Sequence, residues 1–263
     1  MGGELVVGAL GERYATLEAT GTWREVKDDL TMHLLTGAGL LGKLTSKSTF
    51  IPNLKRVTYL GHVFRDQKKI TMGSFVQAVN DIPFETPVIL FVGTSMSAGK
   101  TTAGRIVTRL LTNAGLRVVG GKLTGAGRYK DILALQDAGA EAVFDFVDVG
   151  LPSSIVDAKI FLPRLRQLIT RINRTPADVA VLEIGASPLE PYNGDLAITA
   201  IQEQVKCVIL CASDPYSVYG VMESFGLKPD LVSGPATNTL AGQALIRKLC
   251  QVQPINIVDP LSK

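Results

Sequence analysis

Histidine, cysteine and tryptophan are scarce in this 263-residue chain, with two, three and one respectively. His33 and His62 lie far from each of the three cysteines, so there is no basis for a histidine–cysteine metal site. Cys207, Cys211 and Cys250 sit in apolar surroundings. Their odd number and unpaired spacing point to reduced, packed thiols and a cytoplasmic setting. Cys207 and Cys211 are expected on one strand, where residues four apart share a face but are well separated along it. No uninterrupted apolar run approaches membrane-spanning length, and no membrane partner is expected. The start, Met1-Gly2-Gly3-Glu4, lacks a basic segment and an apolar core, so it does not read as a secretory signal. It is also a poor lipidation start, because Val6 stands where a small hydroxyl residue is usual. A net charge of +3 demands no polyanionic partner.

What is present is apolar and ordinary in its charge content, at 46% hydrophobic and 19% charged. That composition suits one large domain or two modest ones. Residues 1–82 alternate in short steps, as in Glu4-Leu5-Val6-Val7, Tyr14 to Glu18 and Arg56 to Phe64, with glycines and polar turns between them. This predicts a small β-rich domain. Asp28 to Leu35 leaves one or two helical turns open. Residues 83–87 fall in a stretch with two prolines, Pro83 and Pro87, and read as a linker.

Residues 88–263 have the texture of an α/β domain. The apolar run Val88 to Val92 is followed by a polar loop. Ala103, Ile106, Val107, Leu110, Leu111 and Ala114 then recur at threes and fours until Gly115 stops the helix. Further buried strands are expected at 116–120, 180–182, 208–210, 230–232 and 255–258. Helices are expected at 165–173 and 237–249. The alternation predicts a mostly parallel sheet covered by helices on both faces, with ligands beyond the carboxyl ends of the strands.

The loop carries the chemistry. Residues 93–102 read Gly93-Thr94-Ser95-Met96-Ser97-Ala98-Gly99-Lys100-Thr101-Thr102. A strand, a glycine-bearing turn ending Gly-Lys-Thr and a helix form a phosphate-binding loop. The turn aims backbone N–H groups and a helix N-terminus at an anion. Lys100 would reach terminal phosphates and Thr101 would offer its hydroxyl to Mg²⁺. Five residues separate Gly93 from Gly99 where the usual loop has four, so counting back from Gly99 puts the first position at Thr94.

Three other positions fit around it. Glu183 ends a buried strand, where a phosphate-loop protein holds magnesium. Lys122, in Gly121-Lys122-Leu123-Thr124-Gly125, would face Lys100 across the cleft, and two such cations would stabilise a transferred phosphoryl group. Asp131 opens a helical segment, either as an N-cap or as a second magnesium ligand.

These segments together resemble dethiobiotin synthetase and the cobyrinate-type amide-forming enzymes. The resemblance rests on the loop 93–101, on Lys122 to Gly125, on Asp131-Ile132-Leu133-Ala134-Leu135-Gln136 and on Leu182-Glu183-Ile184-Gly185-Ala186. Leu151-Pro152-Ser153-Ser154 is a looser echo. It covers residues 88–190 well and the remainder poorly. It implies a P-loop NTPase fold and a Mg-ATP site. Lys100 and Lys122 would act on the phosphates, with Thr101, Asp131 and Glu183 as the metal set. Thr124 and the segment around Pro235 would lie against the nucleotide. The implied activity is that of an ATP-dependent ligase or phosphotransferase, in which ATP phosphorylates a carboxylate or carbamate of a small metabolite and a nitrogen then displaces phosphate. A homodimer is the implied assembly. Leu123 stands where the family has proline, and residues 184–195 depart from its glycine-rich run, so the acceptor is not the biotin precursor. The base-recognition segment lacks a guanine-selecting Asn-Lys-x-Asp, which favours ATP over GTP.

Three alternatives stay open. One is a regulatory ATPase switch, although Thr94, Ser95 and Met96 stand where that class usually has an early lysine. Another is a nucleic-acid-associated ATPase. Seven basic residues between Lys43 and Lys69 face one acid, Asp66, with Phe50, Tyr59 and Phe64 interleaved, though such a run is more often a solvated face. The last is a phosphate-loop acyltransferase, resembling the D-glutamate N-acetyltransferase family in its two-domain layout.

Overall fold

The computed structural model describes residues 3–260. Met1 and Gly2, weighed above for lipidation, lie outside the described residues, as do the last three of the expected second domain.

The N-terminal region is β-rich. β1 (Ala9–Leu10), β2 (Glu12–Tyr14), β3 (Ala19–Thr22), β4 (Thr31–Leu34), β5 (Leu40–Lys47) and β6 (Arg56–Thr58) share one sheet in the order β2-β3-β5-β4-β6. Those pairings are antiparallel, and β1 lies parallel beside β5. A separate hairpin joins β7 (Phe64–Arg65) to β8 (Lys68–Lys69). The stretch 28–35 is not helical. Asp29 turns the chain by accepting from the Thr31 amide at 3.2 Å, and Thr31–Leu34 then pairs on both sides. Residues 4–7 form no strand and are exposed; the parallel pairing with β5 begins only at Ala9.

The second region is a seven-stranded sheet, parallel throughout. Its strands are β9 (Val88–Gly93), β10 (Val118–Lys122), β11 (Ala142–Asp145), β12 (Val179–Glu183), β13 (Val205–Cys211), β14 (Leu231–Ser233) and β15 (Gln253–Pro254). They run in the order β11-β10-β12-β9-β13-β14-β15. Among the described residues six helices connect or follow them: α1 (Lys100–Asn113), α2 (Lys130–Asp137), α3 (Ala158–Arg174), α4 (Gly194–Ile201), α5 (Pro215–Phe225) and α6 (Leu240–Cys250). The parallel sheet with helices on both faces is the α/β architecture expected from the alternation of strand and helix. The last expected strand, 255–258, is not formed. β15 lies two residues earlier, one bond from Ile255 N to Val232 O (2.8 Å) closes the edge, and the chain then turns between Asn256 and Asp259.

Strand periodicity divides the core. Val88, Leu90 and Val92 of β9 pack with Leu182 and Leu210 against α3, α4, α5 and α6. Phe91 points to the other face with Val118, Val181, Ile209 and Cys211, against α1 and Leu135 of α2. The stripe Ala103, Ile106, Val107 and Leu111 supplies the α1 side, as its spacing predicts. Each fully buried Val, Leu, Ile or Phe contributes roughly 1.5–3 kcal/mol relative to exposure, so these two layers hold the strand ends in place.

The two regions meet in a third apolar cluster. Leu35 and Leu40 of the β-rich sheet pack with Ala126, Ala186 and Tyr192, which follow β10 and β12. The connecting stretch 83–87 is also pinned. Asn173, near the end of α3, accepts from the Glu85 and Thr86 amides at 3.0 and 3.2 Å and donates to Pro83 O at 2.6 Å.

Candidate functional site

The carboxyl ends of β9, β10 and β12 open into a cavity of about 420 Å³. Parallel pairing fixes what stands there. Lys122 is opposite Glu183 in the β10–β12 ladder, and Glu183 is opposite Phe91 in the β12–β9 ladder. Both charged groups thus fall at strand tips beside the loop that follows Gly93.

Residues 94–99 carry the turn, and Gly99 caps α1 with a left-handed φ of 96°. A Cβ at Gly93 would stand 2.6 Å from the Lys100 ammonium, so a side chain there would displace the lysine. Lys100 folds back over its own loop and donates to Ser95 O at 2.7 Å. It is only 3% exposed. Burial pulls its pKa down, and the Glu183 carboxylate partly offsets that. Thr94 is held through its amide to Cys211 O at 3.0 Å, and its hydroxyl accepts from the Ser213 amide at 3.3 Å. Ser95 is buried, and its hydroxyl has no protein partner. Met96, Ser97 and Thr102 line the cavity. Ala98 is buried in the core layer beneath.

The acidic positions split. The Thr101 hydroxyl donates to Glu183 Oε2 at 3.0 Å, and Glu183 is 9% exposed. Asp131 instead takes the Lys122 ammonium at 2.5 Å, while Lys122 to Glu183 is 3.9 Å. Burial alone would lower the Lys122 pKa, but Glu183 and Asp131 together raise it. Asp131 is not the N-cap of α2; that position is Tyr129, and Asp131 lies in the first turn. Thr124 lies outside the cavity lining: it is fully buried, and its hydroxyl donates to Gly185 O at 2.6 Å. Pro235 also lies outside it, packed behind the loop about 3.5 Å from where a Gly99 Cβ would be.

The donors suit a magnesium nucleotide. One hydroxyl and one carboxylate meet 3.0 Å apart beside the buried lysine. Among the described residues no group of three His, Cys, Asp or Glu could hold a metal. Mg²⁺ characteristically takes one or two protein oxygens and fills its shell with phosphate and water, so this small set fits it.

Sequence reasoning missed the wall supplied by the β-rich region. Arg13 and Thr36 line the cavity with Arg128 and Lys130. Glu18 pairs with Arg13, lies 3.9 Å from Arg128 and accepts from the Ser97 hydroxyl at 2.9 Å. The Tyr14 amide donates to the Tyr192 hydroxyl at 2.7 Å, and the Thr16 hydroxyl donates to Glu190 at 3.0 Å. Burial pushes the Tyr192 phenol well above its usual range. Nothing in the local sequence marks residues 13–36 as neighbours of a loop some sixty to eighty residues away.

No family model and no curated protein matches the chain. Solved structures similar to it include chloroplast FtsY from Physcomitrella patens, at 14% identity and a TM-score of 0.46, with 70% of this chain and 62% of that one covered. The signal recognition particle receptor FtsY from Elizabethkingia anophelis in complex with GDP gives 13%, 0.45, 70% and 60%. The 54 kDa signal recognition particle protein from Aeropyrum pernix K1, also with GDP, gives 15%, 0.40, 66% and 41%. The match thus spans about 60% or less of the length of those chains. At such values the likeness is one of fold alone. The comparisons lend the expected dethiobiotin synthetase-like ligase or phosphotransferase no support, and that reading is withdrawn. The physical reason lies in the motifs. A phosphate loop, a strand-tip acid and a strand-end lysine are what the phosphate end of a nucleotide requires, whatever reaction follows.

Proposed function

We propose that the chain is a regulatory P-loop nucleoside triphosphatase, a switch in which the state of the bound nucleotide is read by the β-rich region. Lys100 and Lys122 would neutralise the phosphates. Thr101 and Glu183 would hold Mg²⁺, with Asp131 orienting Lys122. The ion, when bound, would neutralise charge between the terminal phosphates. The loop's backbone amides would orient the triphosphate, and the apolar cluster at Leu35, Leu40 and Tyr192 would limit water on that side.

One observation carries the regulatory reading: the β-rich region grips both moving parts that such a site would have. Glu18 holds Ser97 of the phosphate loop, while Tyr14 and Thr16 hold Tyr192 and Glu190 in the segment after Glu183. A shift of loop or strand tip on hydrolysis would thus reach the β-rich sheet directly. ATP is the nucleotide favoured by the absence of Asn-Lys-x-Asp, and GTP is the competitor. Calorimetry with Mg-ATP and Mg-GTP, followed by hydrogen exchange of residues 9–47 in the di- and triphosphate states, tests the reading. Saturable binding with exchange that differs between the two states is expected. Binding without any change in the β-rich sheet would remove the switch.

A further inference from the structure

Two polar side chains on the cavity wall have atoms without partners, and both come from the β-rich region. Arg13, 6% exposed, gives Nη1 to Leu35 O at 2.6 Å and Nη2 to Glu18, but its Nε–H pairs with nothing. Thr36, 8% exposed, has an unpartnered hydroxyl. Buried donors are costly to leave unpaired, and native folds rarely keep them without a use. Arg128 lines the same wall and is loosely held: its side chain is 36% exposed and 3.9 Å from a Glu18 that it shares with Arg13 and Ser97.

We infer that this end of the cavity binds a small oxyanion, a carboxylate- or phosphate-bearing molecule separate from the nucleotide, on Arg13, Thr36 and Arg128. The inference rests on the nucleotide-site reading above and adds a second ligand to it. The cavity of about 420 Å³ lies within the range of small-molecule sites. The wall has cations of its own, apart from the two lysines at the phosphate end: Lys100 is turned to Ser95 O and Lys122 to Asp131. Both unpartnered atoms are shielded from water as they stand, so the ligand engages them by a small turn of the side chains. Glu18 is shared among Arg13, Arg128 and Ser97, so such a turn would redistribute these contacts. A negative ligand taking Arg128 would also loosen Glu18 from Ser97, which couples this site to the loop.

The test is calorimetry on the full chain saturated with Mg²⁺ and nucleoside diphosphate, titrating inorganic phosphate and, separately, succinate. At least one of the two should bind saturably, and which one does identifies the kind of anion. Thr36→Val, Arg128→Gln and Arg13→Gln should each weaken that binding at least fivefold, with diphosphate affinity changed less than twofold. Thr36→Val and Arg128→Gln keep the test decisive should Arg13→Gln fail to fold. The inference is overturned if neither anion saturates, if the variants bind like the wild type, or if they weaken only nucleoside triphosphate, which would mean that the wall reads the terminal phosphate. Should the wild type bind no nucleotide, the same titrations without it separate the two readings, because the anion site stands or falls on its own variants.

Discussion

Glu18 accepts a hydrogen bond from Ser97 across 2.9 Å, joining the turn between β2 and β3 to the phosphate loop. The same carboxylate is the counter-ion of Arg13, which is buried where Ser97 is exposed. One side chain thus makes two contacts of very different worth. A single solvent-facing hydrogen bond contributes about 0.5–1.5 kcal/mol. Removing one partner of a buried ion pair costs roughly 3–5 kcal/mol, because the other charge stays behind.

Glu18→Ala should therefore destabilise the fold by about 3 kcal/mol, while Ser97→Ala should cost no more than about 1 kcal/mol. Urea unfolding of both variants checks this. Equal losses would mean that Arg13 finds another partner, and the β-rich region would not depend on Glu18.

Lys100→Ala should abolish nucleotide turnover and weaken Mg-nucleotide binding at least a hundredfold. The fold should survive, since the variant removes an ammonium whose charged form burial already disfavours. Turnover assays alongside thermal melts without nucleotide test both halves. Retained turnover would eliminate the phosphate-loop assignment.

Glu183→Gln keeps an oxygen to accept from Thr101 but removes the charge at the strand tip. The magnesium concentration needed for half-maximal nucleotide binding should rise about tenfold. Nucleotide affinity at saturating magnesium should change less. An unmoved magnesium titration would take Glu183 out of the metal set.

The sequence was most informative where function and local geometry coincide. The run Val88 to Val92, the turn to Gly99 and the stripe from Ala103 together specified β9, the loop and α1 before any coordinates, because each rests on a spacing within about twenty-five residues. Lys122 and Glu183 could be placed at strand tips for the same reason. Their partners could not. Whether Asp131 would face magnesium or Lys122 depends on how α2 packs over β10, and that is a tertiary choice. Arg13, Glu18 and Thr36 were invisible because they reach the loop only through sheet pairing and the cluster at Tyr192. The motifs defined the phosphate end of a ligand and were silent on what the other wall holds. That is why the motifs could not tell one phosphate chemistry from another.

Asp145 ends β11 beside Lys122 in the ladder and is 2% exposed. Burial, helped by the neighbouring Asp148, pushes its pKa up to about 6 from 3.8, against the Val147 amide and Lys122, which favour the carboxylate. The raised value means that the fold prefers the protonated acid. Its stabilising contribution is complete below about pH 4 and is lost as the pH rises through about 6, after which the ionised group opposes folding by on the order of 2–3 kcal/mol. Asp145→Asn retains an oxygen for the Val147 amide and cannot ionise. It should flatten the fall in unfolding free energy between pH 4 and 7 and be the more stable form at pH 7.5. Urea unfolding of both proteins across that range gives the answer. Parallel pH curves would show that Asp145 is already ionised at pH 4, held by Lys122 more strongly than burial opposes it.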